Sequence, residues 1–68
     1  MRINKLKLQI AMANACLSMD ELAKKAGISR ISLTQYSSGN TNPRTKTLGK
    51  IAKALGVSVE SLIDMEGD

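Results

Sequence analysis

Five side chains between positions 30 and 35 carry the most usable surface chemistry in this chain: Arg30, Ile31, Ser32, Thr34 and Gln35. A guanidinium can grip O6 and N7 of guanine, or a phosphate, and a carboxamide can pair with N6 and N7 of adenine. The methyls of isoleucine and threonine can lie against the methyl of thymine. These residues share the outer side of a short helix if Leu33 and Tyr36 turn inward, which is what their spacing predicts. The preceding stretch supplies a second helix to hold the first. Leu22, Ala23 and Ala26 recur at helical spacing, and Gly27 follows where a left-handed residue ends a helix. Ile28 begins an inward contact. Ser29 stands at an N-cap position, its hydroxyl open to an orphan amide of the next helix. Two short helices joined by such a turn present the second one to the major groove of a duplex.

Other chemistries find little support. The chain has no histidine and one cysteine, so it can form no disulfide within itself and offers no zinc site of the usual Cys/His kind. It has no glycine-rich phosphate loop and no nucleophile–base pattern. The carboxylate pairs Asp20/Glu21 and Glu60/Asp64 are of the kind found on solvated helix faces. Enzyme activity, a cofactor and a metal are therefore not expected. Sixty-eight residues, 43% of them hydrophobic, suffice for one domain over 1–68, stable by only a few kcal/mol. No apolar run approaches the roughly 20 residues of a membrane helix. The start, 1–16, is basic and then apolar, like a secretory leader. Gln9 and Asn14 interrupt the run, and it reads instead as the first helix of the fold. The single thiol suits a reducing cytoplasm.

Charge is segregated. Ten Lys/Arg oppose six Asp/Glu, a net of +4. From Ser58 onward there are four acids and no bases, so 1–57 holds ten bases against two acids, a net of +8. A basic body with an acidic tail at 65–68 suits a polyanionic ligand.

Helical periodicity and end signals predict five helices, at about 4–15, 19–26, 30–37, 45–55 and 59–65, with Ser18 and Ser58 as caps and a polar loop over 37–44. No strand-like alternation is present, so the fold class is all-α. Leu8, Ala11, Leu17, Leu22, Leu33, Leu48, Ile51, Leu55 and Leu62 form the expected core. The first helix is apolar on two sides. Leu8, Ala11, Met12 and Ala15 share one face, and Ile3, Leu6, Ile10 and Ala13 the other. Either the fifth helix and the tail cover the second stripe, or it is a subunit interface.

The stretch 19–38 resembles the Cro/CI-type (xenobiotic-response-element) helix-turn-helix family of bacterial and phage regulators. Ala23 matches the small residue at the helix crossing, Gly27 the turn and Leu33 the aliphatic core position. Gly39, the Asn42-Pro43 pair and LGKIAKALGVSVESLI at 48–63 are similar to the family's loop, fourth helix and fifth helix. The resemblance covers about 6–64. It implies a compact five-helix, lambda-repressor-like DNA-binding domain with the helix-turn-helix at helices two and three. It further implies a cytoplasmic transcriptional regulator of bacterial or phage origin, a repressor that binds double-stranded DNA sequence-specifically as a homodimer. By position, base contacts fall to Arg30, Ile31, Thr34 and Gln35 with Ser32 nearby. Phosphate contacts fall to Ser18 and Met19, then to Ser38, Asn40, Thr41, Asn42, Arg44 and Lys46. A helix N-terminus can hold a phosphate without a basic side chain, and polar loop residues fix register.

The chain also departs from the family. Met19 stands where Gln is usual and cannot donate a hydrogen bond. Met12 stands where Arg is frequent, and Ser37 where an acid is frequent. In many relatives those two pair across the first and third helices, and their joint loss is nearly neutral for folding. Cys16 stands where Gly is frequent and reads as a small buried filler. A second function fits the same residues: a protein-interaction module, antitoxin- or antirepressor-like, favoured by the two-faced first helix, the acidic tail and Met19. Arg30, Gln35 and the basic body favour DNA.

Overall fold

In the computed structural model, which describes residues 2–64, the first three α-helices each begin behind a side-chain cap, and the second, third and fourth each end on a left-handed glycine. Helix α1 spans Lys5–Ala15, and the Asn4 side chain accepts from the Lys7 amide at 2.9 Å. Helix α2 spans Met19–Ala26 behind a reciprocal capping box: Ser18 Oγ accepts from the Glu21 amide at 3.2 Å, and Glu21 Oε1 accepts from the Ser18 amide at 2.9 Å. Gly27 ends it at φ 75°, a conformation glycine adopts without strain. Helix α3 spans Arg30–Ser38, with Ser29 Oγ accepting from the Ser32 amide at 3.0 Å. Helix α4 spans Thr45–Leu55 and starts behind the buried Pro43.

The four helices enclose one core. Leu8 and Ala11 enter it from α1, Leu22, Ala23 and Ala26 from α2, Leu33 from α3, and Leu48, Ile51, Ala52, Ala54 and Leu55 from α4. Ala23 is 3% exposed, and α2 packs against both α3 and α4, as a small residue at the crossing allows. Leu17, Ile28 and Tyr36 are half-buried and pack against this cluster. No helix among the described residues is long and apolar enough to cross a membrane.

The chain has four α-helices among the described residues rather than five. In place of a fifth helix at 59–65 there is a single 3₁₀ turn at Val59–Ser61, and Ser58 makes no side-chain cap. After it the backbone extends, and Ile63 forms an antiparallel bridge with Ile3. The polar groups there turn to the start of the chain: Leu62 O accepts from the Asn4 amide at 2.8 Å, Ile63 O accepts from Lys7 Nζ at 2.9 Å, and the Asp64 amide, which a helix would direct to Glu60 O, is diverted. The Asp64 amide donates to Arg2 O at 3.3 Å, and Asn4 Nδ2 donates to Asp64 Oδ1 at 2.7 Å. Both Leu62 and Ile63 are buried. The end of the expected fifth helix and the acidic tail at 65–68 lie outside the described residues.

Two further expectations change. Ile3 precedes α1 and is 3% exposed in the bridge, so it is not part of the outer stripe. Leu6 (65% exposed), Ile10 (53%) and Ala13 remain in that stripe, and nothing among the described residues covers it as a fifth helix would. Cys16 is not a buried filler. It is exposed, with φ 58°, and takes the left-handed position that ends α1. That conformation explains the suitability of glycine there, since a Cβ strains it.

Candidate nucleic-acid interface

The cap at Ser29 and the anchor at Leu33 fix the rotation of α3, and with it the residues turned outward. Arg30, Ile31, Thr34 and Gln35 line one shallow outer surface together. Ile31 is 73% exposed, a large apolar side chain that burial in the fold does not explain. Ser32 is not among them. It is half-buried, and its Oγ accepts from Ser29 Oγ at 2.9 Å, which ties it to the helix cap. Arg30 Nε lies 3.3 Å from Asp20 Oδ1, with both side chains largely exposed. Such a pair contributes about 0.2–1 kcal/mol and leaves the guanidinium free to re-aim.

The residues assigned to phosphates flank this surface on two sides. Asn40, Thr41, Asn42, Arg44 and Lys46 are exposed along the connection from α3 into α4, and the buried Pro43 pins that connection to the body. Ser38 sits at the end of α3 with its hydroxyl donating to Gln35 O at 3.1 Å, so its proton is directed inward. On the other side stand Ser18 and Met19, exposed and half-buried respectively. The electrostatics there are mixed. Asp20 and Glu21 occupy the first turn of α2, and hydrogen bonds from the Ser18 backbone and side chain hold the Glu21 carboxyl below its usual range.

A cavity of about 280 Å³ opens between α1, the start of α2 and the end of α3. Lys5, Gln9, Met12, Met19, Thr34, Ser37 and Ser38 line it. It brings three of the departures, Met12, Met19 and Ser37, together in its lining, Ser37 buried and the two methionines half-buried. It also brings Lys5 and Gln9 beside three residues of the expected interface. These two were not among the sequence-predicted contacts. Their i, i+4 spacing places them on one side of a helix, but only the packing of α1 against α3 shows which neighbour they meet.

Comparison with known proteins agrees with this fold. A family model described as helix-turn-helix matches residues 8–62. An uncharacterized HTH-type transcriptional regulator of Methanocaldococcus jannaschii is 40% identical over 65 residues, 96% of each chain. That source is an archaeon, whereas the sequence resemblance implied a bacterial or phage one. Among solved structures, the N-terminal DNA binding domain of SinR from Bacillus subtilis superimposes with a TM-score of 0.78 at 28% identity, covering 94% of both chains. An HTH_3 family transcriptional regulator from Vibrio cholerae gives 0.73 at 32% identity over 84% of this chain and 32% of that one.

Proposed function

The chain belongs to the Cro/CI-type helix-turn-helix family of transcriptional regulators, and from that premise we propose that it is a sequence-specific repressor whose α3 enters the major groove of double-stranded DNA. The observation that carries this reading is the outer face of α3, where Arg30, Ile31, Thr34 and Gln35 lie together on one exposed surface. The face combines a guanine or phosphate ligand, an adenine ligand and two methyl-bearing side chains. The loop at 40–46 supplies Arg44 and Lys46 for phosphates, and its amides and hydroxyl fix register. The protein acts in the cytoplasm and needs no cofactor.

Salt dependence tests the reading. Affinity for duplex DNA is expected to fall with a log–log slope of about −3 to −6 per dimer, for roughly four to seven neutralised phosphates. Fluorescence anisotropy with a short duplex of mixed sequence measures it. A flat response would transfer the function to the protein-interaction reading.

We place a second copy of the chain on the uncovered stripe of α1. One α3 reaches only about half of a helical turn of groove, and two half-sites about one turn (~34–36 Å) apart multiply selectivity. Leu6, Ile10 and Ala13 present the exposed apolar surface such a seam requires. Ile10→Asp is therefore expected to give a folded monomer. The carboxylate costs little on a position already open to water and much across a dry seam. Sedimentation together with helical circular dichroism checks this, and an unaltered mass relative to a dimeric parent protein would remove the stripe from the interface.

A further inference from the structure

The cavity between α1 and α3 has a chemical character that the reading of α3 leaves unused. The side chains at the start of α2, where a phosphate contact is expected, are poorly equipped for one. Ser18 Oγ and the Ser18 amide are both engaged with Glu21. The Met19 side chain has no donor. Asp20 and Glu21 set two carboxylates against the partial positive charge of the helix terminus. On the far side, the hydroxyl proton of Ser38 is directed to Gln35 O. An anion approaching beside Thr34 therefore meets few side-chain donors from α2 or from the end of α3.

The opposite wall differs. Lys5 and Gln9 stand one helical turn apart on α1 and line the same cavity as Thr34 and Ser38, with Met12 and Met19 as its apolar lining. Both are exposed. Lys5 is the first residue of α1, where a cation opposes the helix dipole instead of complementing it, so local helix stability does not account for it. Lys7, in the same turn, has its ammonium on the Ile63 carbonyl; Lys5 has no ion pair among the described residues. A cationic side chain, a carboxamide donor and the Thr34 hydroxyl lining one cavity beside apolar methionines offer the donors a tetrahedral oxyanion requires.

We propose that Lys5 and Gln9 hold a backbone phosphate of the duplex read by α3, so that α1 supplies the cationic side chain the start of α2 lacks. This rests on the DNA reading above, and the test separates the two. Anisotropy with a short duplex of mixed sequence, titrated from about 50 to 200 mM salt, compares the parent chain with Lys5→Ala and Lys53→Ala. Removing one phosphate contact flattens the log–log slope by about 0.9 per bound protomer, equivalent to about eightfold weaker binding at ~0.1 M salt. Lys53 lies exposed near the end of α4, away from the cavity, and carries the same charge. Its removal is expected to change the slope far less. Lys5→Gln retains a long polar side chain and is expected to flatten the slope as Lys5→Ala does, which sets charge apart from any loss of folding. An unaltered slope in Lys5→Ala, or equal flattening by Lys53→Ala, overturns the Lys5 contact while leaving DNA binding intact. Absence of duplex binding by the parent chain at every salt concentration overturns the DNA reading itself, and the contact with it.

Discussion

Truncating Leu33 to alanine is expected to destabilise the protein by about 2–5 kcal/mol, the range for emptying a fully buried leucine site. A domain of this size holds only about 3–5 kcal/mol, so much of the population would unfold near 37 °C. Leu33 has no exposed surface and is the single buried apolar residue of α3, with the half-buried Tyr36 as its only apolar support on that helix. The helix that carries the reading surface therefore depends on one side chain for its seat. Thermal melting by circular dichroism measures the loss. Ile31→Ala serves as the contrast, since Ile31 is 73% exposed and its removal should shift the melting temperature little. If Leu33→Ala melts with the parent protein, the packing of α3 described above is wrong.

The second large effect concerns discrimination. Gln35→Ala is expected to lose about 1–3 kcal/mol on the selected site while binding to unrelated duplexes stays nearly constant, because a base contact carries sequence information and little bulk attraction. Lys46→Ala should weaken all duplexes alike and flatten the salt slope by about 0.9 per protomer. Gln35 shares its outer surface with Arg30, Ile31 and Thr34, whereas Lys46 lies in the first turn of α4 beside the polar loop. Binding-site selection followed by titration against specific and mixed duplexes distinguishes the two patterns. Equal losses on both kinds of DNA for Gln35→Ala would make it a phosphate or structural residue instead of a base reader.

What the sequence made legible was whatever its own neighbours enforce. The capping box at Ser18 and Glu21, the cap at Ser29, the turn at Gly27 and the inward set Leu22, Ala23, Ala26 and Leu33 are local: each residue's role is decided within about one helical turn. The same locality explains the failures. Leu62 and Ile63 look like the end of a helix until Ile3 and Asn4, some sixty positions earlier, take their backbone groups. Ile3 was placed on an outer stripe by helical periodicity, but α1 begins after it. Cys16 was judged by its preference for burial, although its backbone had to be left-handed. Within the candidate site, the shared face of Arg30, Ile31, Thr34 and Gln35 follows from one helix alone. The tie between Ser32 and Ser29 comes from hydroxyl geometry. The proximity of Lys5 and Gln9 to Thr34 is tertiary, and helical spacing on α1 holds no information about it.

The bridge between Ile3 and Ile63 makes this linear chain nearly a closed circuit. Asn4 pairs with Leu62 on one side of the bridge and Asp64 with Arg2 on the other. Moving outward from the bridge, the two segments therefore run side by side in the same direction, about 5 Å apart. Arg2 and Asp64 thus lie side by side on one edge of the molecule, and a pull that separates them must break the bridge before it reaches any helix.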